Sequence, residues 1–157
     1  MGWWSHTIMG GDTPLDYVGF LADELDVEYD GDYGEGSFHG YRFTRDVLEA
    51  PGVHGKIKAA HENCYNDVVF GEVVGAVYLW AGAAIPAPVK KGILTCAKAE
   101  LEDCESRKTG FLRPDERAGY LRDLIEKIEA HKPGERVELV EEGLFENMAK
   151  MLCGEGN

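Results

Sequence analysis

The sequence lacks the short motifs that mark the common enzyme families. It contains no GxSxG, no GxGxxG after a strand-like segment and no Walker-type GK[ST], so the nucleophile elbow and the usual phosphate-binding loops are missing. The serines are Ser5, Ser37 and Ser106, and none stands in a His–Asp arrangement. The sequence therefore predicts no catalytic residue, no reaction and no cofactor.

Positive charge is also scarce. The 157 residues include 16 Lys and Arg against 29 Asp and Glu, which gives a formal net charge of −13. Such a chain is repelled by nucleic acids and by anionic membranes unless a local basic patch overrides the total, and the sequence shows no such patch. We therefore expect neither direct nucleic-acid binding nor binding to a membrane surface.

The four cysteines, at positions 64, 96, 104 and 153, form no CxxC pair. Cys96 and Cys104 lie eight residues apart in one predicted helix, where a rise of about 12 Å prevents a disulfide. No cationic segment precedes an apolar stretch at the N-terminus, so no secretory signal is predicted. Reduced thiols and a cytoplasmic location are the expectation.

One long stretch, Val73–Val89, has no charged residue. Pro86 and Pro88 interrupt it and leave about 13 residues of possible helix, which is too short to cross a bilayer. The stretch therefore predicts a buried core helix.

Hydrophobic periodicity predicts a mainly α-helical bundle of about five helices in a single domain, residues 1–157. An aromatic N-terminal arm covers residues 1–11, and an acidic, glycine-rich loop covers residues 27–43. The helical core spans residues 66–152. The predicted helices are 13–26, 66–85, 88–107, one that begins at Pro114 and ends near Lys132, and 135–152, with short helices at 44–48 and 56–65.

Two clusters of possible metal ligands lack residues that a metal site of their type requires. His61 and Cys64 share a helical segment with His54 seven residues earlier, but the second ligand pair of a tetrahedral zinc site is missing. The loop that begins at Asp30 lacks the glycine and the final glutamate of a calcium-binding loop. No metal is predicted.

Acidic residues are concentrated between Ala22 and Gly36, with no Lys or Arg among them. Such a cluster serves either as a solvated surface that aids solubility or as a docking surface for a basic protein partner, with carboxylates in the places of phosphates. We call it the acidic surface, and its predicted partner-binding residues are Asp23, Glu24, Asp26, Glu28, Asp30, Asp32 and Glu35.

The N-terminal arm is the second candidate. Adjacent residues of an extended arm point to opposite sides, so one of Trp3 and Trp4 is expected to pack on the bundle, over Leu15 and Val18, and the other to lie near the surface. Asp12 or Thr13 is the predicted N-cap of the first helix. The candidate ligand or anchor residues are Trp3, Trp4, His6, Asp12 and Asp16.

The opening Gly2-Trp3-Trp4, followed by Ile8, Asp12, Leu15 and Asp16 ahead of a helix, resembles the start of the bacterial proteins grouped as domain-of-unknown-function family 4259. The resemblance covers about the first 25 residues and implies an aromatic arm that leads into a helical body. The run IMGGDTPLD is also similar to small proteins of bacteriophages and prophages. Neither resemblance implies an activity.

Three functions remain open. The leading hypothesis is a small acidic binding protein that inhibits or modulates a host protein through its acidic surface, as a phage-encoded factor does. The alternative is a small enzyme or ligand-binding domain that uses the arm with Asp12 and Asp16. The third is a homo-oligomeric structural protein.

Overall fold

The computed structural model describes residues 3, 5–31 and 36–139. Within these residues the only β-structure is a few isolated bridges, and the predicted mainly helical, single-domain bundle is confirmed. The six helices of the described residues are α1 (Asp12–Glu24), α2 (Arg45–Leu48), α3 (Val53–Asn63), α4 (Asp67–Ala81), α5 (Ala87–Glu105) and α6 (Pro114–Ala130).

Helix α4 is the centre of the bundle, because α1, α2, α3, α5 and α6 all pack against it. Every residue from Val69 to Leu79 is buried, as the uncharged stretch predicts. A helix that is apolar on nearly all faces has to be enclosed in this way. In the described part of the chain no helix combines the length and the apolar character needed to cross a membrane.

Two glycines of α4 allow α5 to approach closely. A Cβ on Gly71 would lie 2.6 Å from Sγ of Cys96, and a Cβ on Gly75 would lie 2.8 Å from Cγ2 of Ile93. Gly82 has a different role. It ends α4 in the left-handed region, at φ 68°, where glycine meets no Cβ penalty.

The predicted helix boundaries need corrections in α1, α3 and α4; α4 ends at Ala81, four residues before the predicted end at 85. Thr44 caps α2, since its Oγ1 accepts a hydrogen bond from N of Val47 at 3.2 Å. The N-cap of α1 is Gly11, without a side-chain hydrogen bond, so the prediction of Asp12 or Thr13 was wrong. Gly11 forms an isolated β-bridge with Trp3, and this pairing places the N-cap at Gly11, one residue before Asp12. Helix α3 begins at Val53, three residues before the predicted start.

The predicted helix 135–152 does not begin where the sequence placed it, because residues 135–139 are not helical. The backbone of this segment and of the preceding Gly134 bonds elsewhere: N of Gly134 donates to O of Gly82 at 2.8 Å, and N of Val137 donates to O of Leu79 at 2.8 Å. These bonds hold the chain against the end of α4, and they compete with a new helix. Residues 140–152 of the prediction lie outside the described residues.

Candidate functional site

The acidic surface is built on the end of α1. Asp23, Glu24 and Asp26 are exposed there, and Glu28 and Asp30 are exposed on the segment that follows. N of Val27 donates to O of Ala22 at 2.8 Å, which closes the helix with Asp26 in the left-handed region, at φ 54°. This is the Schellman type of helix end, in which aspartate tolerates the left-handed position better than most residues do. Asp32 and Glu35 of the prediction lie outside the described residues.

The acidic residues in the last turn of α1 lower the stability of that helix. The C-terminus of a helix carries a partial negative charge, which disfavours acidic side chains and favours basic ones. The last turn of α1 nevertheless has no basic residue, while Asp23 and Glu24 stand in it. Helix stability therefore does not account for this cluster.

Two tyrosines hold the segment after α1 in place. Residues 29 and 38 each bridge to Tyr41, and the rings of Tyr29 and Tyr41 lie 5.0 Å apart. A Cβ on Gly40 would lie 2.5 Å from Cε2 of Tyr29, so only glycine leaves room for the Tyr29 ring. Tyr29 remains 58% exposed, and it stands between Glu28 and Asp30 in the chain.

Arg42, on the other side of this turn, brings a positive charge to the acidic surface. Arg42 pairs with Asp30 through its Nε, and its backbone N donates to O of Glu28 at 3.4 Å. No pattern in the sequence indicates this pair, because Arg42 lies twelve residues after Asp30. Among the residues that the structure describes, no ion pair involves Asp23, Glu24 or Asp26 at the end of α1.

The N-terminal arm folds back on itself rather than extending. N of Ser5 donates to O of Gly10 at 3.2 Å, and the hydroxyls of Ser5 and Thr7 lie 2.7 Å apart. His6 accepts a hydrogen bond at Nε2 from N of Arg113 at 3.3 Å. The arm is thus attached to the start of α6, which the sequence did not indicate.

A buried arginine, Arg117 of α6, holds the arm to the core. Its Nη1 donates to O of Thr7 at 2.6 Å and to O of His6 at 3.3 Å. Its guanidinium also lies 4.9 Å from the ring centroid of Trp3 and 4.7 Å from that of Phe111. Arg117 and Phe111 are therefore the partners of Trp3, whereas Trp4 lies outside the described residues.

The same arginine binds two glutamates of neighbouring helices. Its Nη2 donates to Oε1 of Glu72 at 2.8 Å, and its Nε donates to Oε2 of Glu100 at 2.7 Å. Arg117 and Glu72 are fully buried, and Glu100 is 9% exposed. We call these three residues the Arg117 cluster; it joins α4, α5 and α6 with one cation and two carboxyl groups.

Burial and the neighbouring Glu100 carboxylate raise the pKa of Glu72 well above its usual range, against the lowering effect of Arg117. Its Oε2 has no hydrogen-bond partner among the described residues, so nothing there compensates a charge on that oxygen. The folded state therefore keeps a proton on Glu72 at pH values where the unfolded chain releases it.

This shift predicts a pH dependence of stability. The pKa of Glu72 is higher in the folded state than in the unfolded state, where it is near 4.5. The contribution of Glu72 to the free energy of unfolding is therefore complete below the unfolded pKa and is lost as the pH rises through the folded pKa. Glu72→Gln removes this loss and keeps an acceptor for Arg117. We expect urea denaturation at pH 5 and pH 8 to show a smaller drop in the free energy of unfolding for Glu72→Gln than for the parent. The exposed control Glu102→Gln should show the parental drop, and equal drops in all three proteins would contradict the shift.

A cleft of about 760 Å³ opens where the arm meets α5 and the segment before α6. Its walls include Trp3, His6, Phe111 and Glu100. Asp12 and Asp16 do not line it, and both are exposed on α1. The cleft thus includes two of the arm residues that the sequence grouped, Trp3 and His6, and neither of the two aspartates.

His61 contacts Cys96 of α5 rather than completing a site with Cys64. Its Nε2 lies 3.8 Å from Sγ of Cys96, and burial, with the nearby carboxylates, raises the pKa of Cys96 to about 12. The thiol is thus protonated at neutral pH, which disfavours a nucleophilic role. Among the described residues no group of three or more His, Cys, Asp or Glu side chains is placed to hold a metal ion.

Comparisons of the chain with protein-family models, with curated proteins and with solved structures gave no match.

Proposed function

We propose that the protein binds a basic protein partner through the acidic surface at the end of α1 and thereby inhibits or modulates that partner. The observation that supports this most directly is the placement of Asp23, Glu24 and Asp26 at a helix C-terminus, where they cost helix stability. Departures from local stability rules are common at functional sites.

Tyr29 adds an exposed aromatic side chain, which a surface that serves only solubility does not need. It is held against Tyr41 but stays largely exposed, and tyrosine is enriched among the residues that dominate binding energy at interfaces. Carboxylates around an aromatic anchor favour a partner with Lys and Arg around an apolar depression. Long-range attraction between the two surfaces would mainly raise the association rate.

A fourfold amide variant tests the proposal: Asp23→Asn, Glu24→Gln, Asp26→Asn and Glu28→Gln. Its melting temperature should equal or exceed that of the parent, because repulsion and unfavourable helix-dipole contacts are removed. Its association rate with a partner captured from bacterial lysate should fall at least tenfold at low salt. Surface plasmon resonance at two salt concentrations measures both the rate and its salt dependence.

The matched control removes four exposed carboxylates outside the acidic surface: Glu62→Gln, Glu102→Gln, Glu126→Gln and Glu135→Gln. It changes the net charge by the same amount, so it separates a local surface from the total charge. If both variants slow association equally, only the total charge matters and the acidic surface is not the site. Capture of nothing but further copies of the chain would favour the homo-oligomeric structural protein.

The second candidate is a ligand-binding domain or a small enzyme that uses the arm. The observation that favours it is the cleft bordered by Trp3, His6 and Phe111, with Glu100 among its walls. Binding of a small neutral ligand there would change little with salt, whereas binding through the acidic surface would weaken steeply.

A further inference from the structure

A second cleft, of about 310 Å³, lies between α3, α4 and α5. Its walls are apolar and come from all three helices: Ile57, Val74, Pro88, Val89 and Ile93. Pockets for small molecules are concave, mostly apolar and of roughly 300–1,000 Å³. The cleft therefore has the size and the lining of a small-molecule site.

The ionisable side chains that line this cleft are all basic: His54, Lys58 and His61 of α3. The nearby acids Glu62 and Asp67 are not among its lining residues. None of the ion pairs formed between described residues involves the three basic side chains. Lys58 thus offers a positive charge to a ligand, and the two imidazoles offer ring nitrogens for hydrogen bonds.

The surrounding segments strengthen this local positive charge. Residues 50–61 and 73–99 contain no Asp or Glu, although the chain as a whole carries a net charge of −13. The first segment supplies Lys56, and the second supplies Lys90 and Lys91 near the start of α5. The N-terminus of α5, whose Pro88 and Val89 line the cleft, adds the positive end of a helix dipole.

We propose that this cleft binds a small organic anion with an apolar tail, a medium-chain carboxylate being the simplest member of the class. The tail lies against Ile57, Val74 and Ile93, and the carboxylate lies at the rim beside Lys58 and the two imidazoles. This function goes beyond the acidic surface, since the two sites share no residue and attract opposite charges.

Gly92 of α5 gives a precise way to close the cleft. It lines the cleft, and a Cβ added to it would meet no atom within 4 Å. A leucine Cβ is therefore accommodated here, we expect its longer side chain to occupy the cleft, and leucine improves helix propensity over glycine. Gly119 of α6 is the matched control, because it is exposed and its Cβ position is equally open.

The test is isothermal titration calorimetry of the full chain with decanoate, decanol, decylammonium and acetate, below the concentration at which each aggregates. Decanoate should bind the parent and Gly119→Leu with equal affinity. Gly92→Leu should weaken decanoate binding at least tenfold, because it occupies the tail site. Lys58→Gln should weaken decanoate binding about fivefold, the upper range for an exposed ion pair, and should leave decanol binding unchanged.

Four results overturn the proposal: no decanoate binding, equal affinities for decanoate, decanol and decylammonium, equal affinities for acetate and decanoate, or the same decanoate affinity in Gly92→Leu as in Gly119→Leu. Equal affinities for the three decyl compounds would show an apolar contact without charge recognition. Acetate binding as tight as that of decanoate would show that the apolar walls contribute nothing. None of these results affects the acidic surface, whose residues stay unchanged in every variant.

Discussion

Replacing Arg117 with methionine is expected to lower the free energy of unfolding by about 3–5 kcal/mol, the usual cost of breaking a buried ion pair from one side. The substitution leaves Glu72 and Glu100 buried without their cation. It also removes the donor to the carbonyls of His6 and Thr7. Chemical denaturation measures the loss, and we expect the arm to become accessible to proteolysis in the folded variant.

The control for this prediction is Arg122→Met on the same helix. Arg122 pairs with Glu105 at 3.3 Å, and both side chains are more than half exposed. Exposed pairs contribute about 0–1 kcal/mol, so this variant should denature close to the parent. If Arg117→Met also denatures like the parent, the Arg117 cluster does not connect the arm to the core.

A triple variant separates charge from packing. This variant combines Arg117→Met with Glu72→Leu and Glu100→Leu, so apolar side chains replace the whole cluster. Such a replacement often leaves the free energy of unfolding unchanged or raises it. We expect this triple variant to recover most of the stability lost in Arg117→Met. The carbonyls of His6 and Thr7 still lose their donor, so the attachment of the arm should not recover.

Local signals in the sequence accounted for most of the helices. Pro88 and Pro114 stand at the starts of α5 and α6, where proline loses no hydrogen bond. The uncharged run between Glu72 and Pro86 identified the central helix. Residues 135–139 were wrongly predicted as helix because the backbone N of Gly134 and of Val137 donate to O of Gly82 and of Leu79, more than fifty residues away.

The Arg117 cluster could not be assembled from the sequence, because its members lie 17 and 45 residues apart. A partial signal was present. Glu72 falls inside a predicted helix that is apolar on nearly all faces, and a buried carboxylate needs a partner. Which arginine satisfies it depends on how α4, α5 and α6 pack, and pattern alone does not determine this.

The acidic surface was predictable as exposed charge, and its described members lie on the surface. The position of Arg42 beside Asp30 was not, since it follows from the turn that pairs Tyr29 with Tyr41. The cleft between α3, α4 and α5 was missed for a similar reason: its basic side chains all lie on α3, and only helix packing brings them beside the apolar residues of α4 and α5.

Val77→Asp is expected to unfold the protein or to leave it close to unfolding at room temperature. Val77 is fully buried in α4, and an unpaired carboxyl group there costs several kcal/mol in desolvation or in neutralisation. A domain of this size has only about 5–15 kcal/mol of stability. Circular dichroism during heating should show a melting temperature lowered by at least 15 °C or no cooperative transition.

Two further variants show which physical effect is responsible. Ala99→Asp places the same side chain on the exposed surface of α5, and it should melt within a few degrees of the parent because the carboxylate stays hydrated. Val77→Ala removes apolar volume without adding charge, and it should cost about 1–3 kcal/mol. If Val77→Asp is no worse than Val77→Ala, the carboxyl group reaches water. In that case α4 is not enclosed, and the central position assigned to it is wrong.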